Sequence, residues 1–306
     1  MDSTTRFDVS SVADGELGLA PATIAFDEPA HVLSRLAKDH KIAIVSAVVI
    51  VLFVLGAIFA PVLTPYQYDD INLANRLAPP SLEHPFGTDE GGRDILTRML
   101  YGSRVSLVIG IVPTLLSIAV GTLIGMTSGF VGGKVDTVIM RVADIVMSFP
   151  TMLLAMVVMY TLGDGTNNVF LTMVLVGWAG IARVVRSETL KLKECEYVEA
   201  ARIMGVRRWC IMLRHLLPNC LPTIIVLFTL EIPSSILTES SLSFLGMGVQ
   251  PPSASWGLMV SAGRGFLYHA PWLCFSPCIA IMVIVLAFNY LGDGLRDVLD
   301  PHLQSQ

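Results

Sequence analysis

The chain has 306 residues, 53% of them hydrophobic and 15% charged, with a formal net charge of −5 and a mean hydropathy of +0.67. Soluble domains carry about 25% charged residues, and the deficit here gathers in apolar runs of about 20 residues, the length that crosses a hydrocarbon core. A water-soluble domain is excluded, and so is a disulfide or zinc scaffold: Cys195, Cys210, Cys220, Cys274 and Cys278 are odd in number and form no CxxC pair.

In chain order, the first 30 residues set Asp2, Asp8, Asp14, Glu16, Asp27 and Glu28 against the single Arg6. A secretory signal needs a basic start and then an apolar core, so residues 1–35 are expected to be a polar tail that stays on the side of synthesis. Residues 36–303 form the membrane domain and 304–306 its C-terminal end. The fold expected is all-α, with six transmembrane helices at about 42–63, 105–128, 144–162, 169–185, 221–245 and 272–291. Pro113, Pro150, Pro233 and Pro277 fall inside spans. Each removes a backbone donor and crowds the carbonyl four residues earlier, so four bends are expected. The segment 64–104 is a polar outer loop in which Asp89, Glu90, Arg93 and Asp94 lead into a short helix ending near Gly102.

Orientation follows the excess of Lys and Arg on cytoplasmic segments. With the N-terminus inside, the inner segments hold fifteen of the twenty basic residues and the outer ones five. Both termini are therefore expected in the cytoplasm.

The inner loop 183–218 is longer than most helix connections. Its stretch 194–204 has neither Gly nor Pro, and Tyr197, Ala200, Ala201 and Met204 recur at helical spacing. Gly205 supplies the stop, and a second amphipathic run, 209–217, precedes Pro218. A helix with small side chains on one face admits close approach by a cytosolic partner, with Glu199 and Arg202 beside it. An amphipathic helix resting on the membrane surface fits the same residues, and the pattern alone leaves both open.

Glu199-Ala200-Ala201, three residues, Gly205, nine residues and then His215-Leu216-Leu217-Pro218 resemble the EAA loop of binding-protein-dependent ABC import permeases. That pattern is EAA, three residues, Gly, nine residues, Ile-x-Leu-Pro, and His215 is the one departure. Phe86-Gly87-Thr88-Asp89 with Gly92-Arg93-Asp94, residues 129–136 (GFVGGKVD), 243–246 (SFLG) with Gln250-Pro251-Pro252, and 292–301 (GDGLRDVLDP) resemble the C-type permease subunit of oligopeptide and dipeptide importers. The similarity runs from about residue 35 to 303. It implies a type I ABC importer permease fold in the bacterial inner membrane, with a cytoplasmic coupling helix docked on a separate ATPase. Tyr197, Glu199, Ala200, Ala201, Arg202, Gly205, Leu217 and Pro218 would form that interface. The implied partners are a second homologous permease, two ATP-binding subunits, an extracytoplasmic substrate-binding protein, membrane lipid and a peptide substrate, with no nucleic acid.

No cofactor is expected in this chain, and ATP and Mg would sit in the partner subunits. The nearest approach to a phosphate-binding loop is Gly132-Gly133-Lys134-Val135, where Val replaces the metal-binding hydroxyl and Ser128 stands for the first Gly. The six histidines are scattered, and no Ser–His–acid set is recognisable. The chain is expected to be non-catalytic. Glu231 and Glu239 lie eight apart in the fifth span, where a charge costs about 2.5–3.5 kcal/mol at mid-bilayer on insertion scales. They either line the path or pair with a partner permease. Asp144 is expected to pair locally with Arg141. Nickel chelates and glutathione-like peptides are alternative substrates within the class, and a secondary carrier is the alternative class, although no broken-helix repeat is visible.

Overall fold

A computed structural model describes residues 40–299; the expected acidic tail 1–35 and the end 304–306 lie outside the described residues. Apart from one isolated bridge between Thr88 and Asp94, all regular structure among the described residues is helical. The helices are α1 (Lys41–Leu63), α2 (Ile95–Val131), α3 (Gly133–Ser148), α4 (Thr151–Leu162), α5 (Thr166–Leu192), α6 (Glu196–Ile203), α7 (Arg208–Ile211), α8 (Leu217–Phe244), α9 (Trp256–Gly263) and α10 (Trp272–Leu299). Five runs are long and apolar enough to cross a membrane unbroken: α1, α2, α5, α7 with α8, and α10.

The expected third span carries the bend expected at Pro150, sharply enough to break the helix. It is two helices, α3 and α4, bent by 93° at Phe149 and Pro150, whose backbones are extended (ψ 141° and 123°). Proline disfavours the helical region for the residue before it, and here the chain takes the break. The other three prolines of the expected bends, Pro113, Pro233 and Pro277, lie buried inside uninterrupted helices. The short outer helix ending near Gly102 is likewise absent: α2 runs unbroken for 37 residues.

Helix packing shows that the bent pair still crosses once. Down α2, Gly121, Gly125 and Gly129 meet Trp178 and Ile181, then Ala182, then Arg186 and Thr189 of α5. Both series ascend, so α2 and α5 run parallel and the intervening pair must return across the bilayer. A side chain at Gly121 would come within 2.9 Å of the Trp178 carbonyl; small residues at four-residue spacing let two backbones approach this closely.

Against α2, α8 runs antiparallel: Gly110 faces Ile232 and Ile236, while Ile118 shares a cluster with Leu216. α10 is antiparallel to α8, with Gly292 against Leu230 and Thr229, and Gly294 rests on Ala43 at the start of α1. One face of the bundle therefore gathers His40, the end of α2, α6, the start of α8 and the end of α10.

At the opposite face the outer loop is knotted to the start of α2. Asp94 caps it, its carboxylate accepting from the Thr97 amide at 2.8 Å and the Thr97 hydroxyl at 2.7 Å, and His84 Nδ1 lies 3.0 Å from it. Asp89 accepts from the Gly91 and Arg93 amides and from Arg93 Nε at 2.7 Å, with Arg98 Nε at 3.5 Å. These acids are buried and satisfied, as buried charges require.

Candidate functional site

The loop expected to couple to an ATPase begins where α5 ends, at Leu192, seven residues beyond the expected end of the fourth span. α6 follows, with Glu196 and Glu199 in its first turn and Arg202 in its last, the distribution that complements the helix dipole. Its end is a Schellman turn. Gly205 adopts φ +75°, its amide donates to the Arg202 carbonyl at 3.0 Å, and the Val206 amide donates to the Ala201 carbonyl at 3.1 Å.

The small-residue stripe does not form one outward face. Val198 and Ala201 are turned into the bundle, Ala201 only 2% exposed, against Ile118, Met126, Phe130, Ile181, Val185 and Leu216. Tyr197 packs on the same cluster; its hydroxyl is buried without a hydrogen-bond partner among the described residues, and burial pushes the phenol up to about 12. Expected as a docking residue, Ala201 instead lets α6 seat closely on its own bundle. Exposed to solvent are Glu199, Ala200, Arg202 and Gly205, and the Arg202 guanidinium lies 5.1 Å from the Phe130 ring centroid.

The exposed side carries residues that the motif does not mark. Ile203 is 81% exposed, Met204 69% and Trp209 63%. Ile203 and Met204 at the end of α6 and Trp209 at the start of the fifth span are large apolar side chains left exposed beside Arg207 and Arg208, the kind of surface that marks a protein or membrane interaction site. Large apolar residues in a loop otherwise rich in charge were the available signal.

After Arg207 the chain enters α7 and then a π-helical turn, Met212–Leu216, before α8. The Leu217 amide donates to the Met212 carbonyl, a five-residue step that shifts register just before Pro218, which has no amide to give. Leu217 and Pro218 are half-buried, as is His215, whose carbonyl accepts from the Asn219 side-chain amide at 2.5 Å. The expected separate run 209–217 is thus the first part of the fifth span.

A lattice of ion pairs fixes this end. Asp136 of α3 takes a bidentate contact from Arg186 of α5, Nη2 to Oδ2 at 2.6 Å, and accepts from Ser128 at 2.5 Å. Lys193 Nζ donates to the Gly129 carbonyl at 3.1 Å. Asp144 pairs mainly with Arg183 of α5 at 2.6 Å; the expected partner, Arg141, stands at 3.8 Å. Both acids tie α3 to the helix that leads into α6.

The two membrane carboxylates separate. Glu239 is 0% exposed and accepts from Ser243 Oγ at 2.7 Å, Ser255 Oγ at 3.0 Å and Ser240 Oγ at 3.5 Å. Ser255 also caps α9 by accepting from the Leu258 amide. Glu239 therefore fastens α9 to α8 inside this chain, and a path or intersubunit role is withdrawn for it. Glu231 is half-buried and meets no basic side chain in an ion pair among the described residues.

Residues 121–305 match the family described as binding-protein-dependent transport system inner membrane component, and residues 32–80 match the N-terminal TM domain of oligopeptide transport permease C. Relatives include the oligopeptide transport system permease protein OppC of Bacillus subtilis, 42% identical over 87% of this chain and 88% of that one. The dipeptide permease DppC of Alkalihalophilus pseudofirmus is 43% identical over 88% of each chain. The glutathione permease GsiD of Pectobacterium atrosepticum is 41% identical over 89% and 90%. A chain of the MetNI methionine ABC transporter, solved in an inward-facing conformation, superposes with a TM-score of 0.54 at 17% identity, covering 65% of this chain and 94% of that one. The fold is the type I ABC importer permease fold, and by its sequence the chain belongs to the inner-membrane components of binding-protein-dependent transport systems.

Proposed function

We propose that this chain is one permease half of an ATP-driven peptide importer, working as a heterodimer with a second, related permease. The observation that carries the reading is α6: a short helix seated on the ends of the spans by Val198 and Ala201, with Ala200, Ile203 and Met204 left uncovered. A helix held by one face and bare on the other is built to transmit a push. Glu199, Ala200, Arg202, Ile203 and Gly205 meet the ATP-binding subunit, while Tyr197, Ala201, Leu217 and Pro218 relay the movement into the bundle.

Two ATP-binding subunits supply ATP, Mg and hydrolysis, and this chain supplies none. The face bearing α6 is the cytoplasmic one, because the loop between α5 and α8 is rich in Arg and Lys; both termini lie on that side. The outer loop, knotted at Asp89 and Asp94, receives the substrate-binding protein. Peptide is favoured as substrate because relatives above 40% identity include oligopeptide and dipeptide permeases, and the glutathione relative extends the class to a modified tripeptide.

Reconstitution with the second permease, the ATP-binding subunits and the binding protein tests this. Di-, tri- and longer peptides should stimulate ATP hydrolysis and accumulate inside vesicles, whereas stimulation by Ni²⁺ alone would contradict the peptide reading.

A further inference from the structure

Glu231 occupies the middle of α8, fourteen residues after Leu217 and thirteen before Phe244, so about 20 Å of helix lies on either side. A carboxylate at that depth faces protein or water rather than lipid. The other acid of the helix, Glu239, is enclosed by serines of its own chain, whereas Glu231 is half-exposed and meets no basic side chain in an ion pair among the described residues.

Hydroxyls continue from it along one side. Ser234, Thr238 and Ser241 follow at steps of three, seven and ten residues, which at 100° per residue keeps them within about 80° of Glu231. Ser234 and Ser241 are exposed and Thr238 half-buried. The exposed face of α1 is of another kind, presenting Val45, Val48, Val51, Leu55, Ile58 and Phe59, the surface that lipid requires. Thr238 and Ser241 donate to the carbonyls of Ser234 and Leu237 at 2.8 and 2.7 Å, which leaves their lone pairs facing outward as acceptors.

We infer that Glu231, Ser234, Thr238 and Ser241 line the translocation path, and that Glu231 accepts the α-ammonium group of a peptide in transit. The inference rests on the peptide-permease reading. A row of acceptors extending over about 15 Å suits a cationic, hydrogen-bonding ligand that moves; an ion pair with a neighbouring subunit would need one anchor point. The carboxylate also gives the passage a preference for positive charge.

The test uses the assembled transporter in vesicles, with the five native cysteines of this chain replaced by Ala or Ser and Ser234→Cys introduced. Modification rates are read with a cationic trimethylammonium-ethyl and an anionic sulfonatoethyl methanethiosulfonate. The cationic reagent should react about tenfold faster, the enrichment a negatively lined cleft produces, and trialanine should slow both. Adding Glu231→Gln should abolish the charge preference and lower trialanine uptake several-fold while the second permease still co-purifies. A Ser234→Cys thiol inert to both reagents, a preference unchanged by Glu231→Gln, or loss of the second permease on that substitution would each overturn the inference. Failure of the unsubstituted transporter to take up trialanine would instead refute the peptide reading beneath it.

Discussion

Replacing Gly205 offers a graded test of the proposed coupling role of its turn. Gly205 holds φ +75°, and a Cβ built there meets nothing within 4 Å among the described residues, so a side chain costs backbone strain and no clash with them. For Ala the left-handed conformation costs about 1 kcal/mol, which makes the turn open about fivefold more often. Asn tolerates that conformation better and should fall between Gly and Ala. Pro cannot take a positive φ and loses the amide that donates to the Arg202 carbonyl at 3.0 Å, a cost of about 3 kcal/mol, or roughly a hundredfold more opening. Hydrogen exchange at the Val206 amide, which donates to the Ala201 carbonyl, reads the turn directly. Peptide-stimulated ATP hydrolysis of the assembled transporter reads its consequence. Exchange should rise and coupling should fall in the order Gly, Asn, Ala, Pro, with membrane insertion intact throughout. Wild-type coupling in Gly205→Pro would refute the idea that this turn holds the lever.

Ala201→Trp should lower the melting temperature of the isolated chain, because overpacking a filled core costs about 1–3 kcal/mol, and should abolish coupling. Ala200→Trp should leave that melting temperature alone and weaken only ATPase association, since Ala200 is exposed. Glu239→Ala leaves the hydroxyls of Ser243 and Ser255 without their acceptor and opens a void, so thermal stability should fall by about 3 kcal/mol; Glu239→Gln, which keeps an acceptor oxygen, should lose about 1 kcal/mol. Asp136→Arg or Arg186→Asp alone should uncouple transport from hydrolysis, and the double exchange should restore a measurable part. The pair is partly exposed, with side chains 18% and 28% accessible, so the stability change should stay near about 1 kcal/mol.

Much of this molecule was legible from residue order. Five of the six spans follow from uninterrupted apolar length, and the short helix α6 with its Gly205 stop follows from one spaced pattern. Of the four expected bends only the one at Pro150 breaks its helix, because four prolines look alike in one dimension. Pro113, Pro233 and Pro277 are buried inside long helices, where packing outweighs their missing amides, while Pro150 joins two mostly exposed helices that nothing holds straight. The stripe Tyr197, Ala200, Ala201, Met204 forms one face by spacing alone, and periodicity identifies a face without identifying what covers it. Here the bundle takes Ala201 and half of Tyr197, and leaves Ala200 and Met204.

Long-range polar contacts were beyond the reach of local patterns. Glu239 owes its burial to Ser255, sixteen residues away in another helix cap, and Asp136 owes its tie to Arg186, fifty residues on. The Gly121, Gly125 and Gly129 ladder was present as four-residue spacing, yet only its contact with α5 gives it meaning, since the parallel packing it permits requires the broken pair to cross the membrane. Ile203 and Trp209 fall at positions that the motif leaves unspecified, so the motif gives no sign of these large exposed apolar groups.

Photocrosslinking from residue 203 addresses the central claim most directly. With a benzophenone amino acid in place of Ile203, irradiation of the assembled transporter in its native membrane should yield adducts with an ATP-binding subunit, in amounts that change when ATP is added. Adducts to lipid alone, or labelling of Ile203→Cys by an impermeant reagent applied to the outside of intact cells, would contradict it.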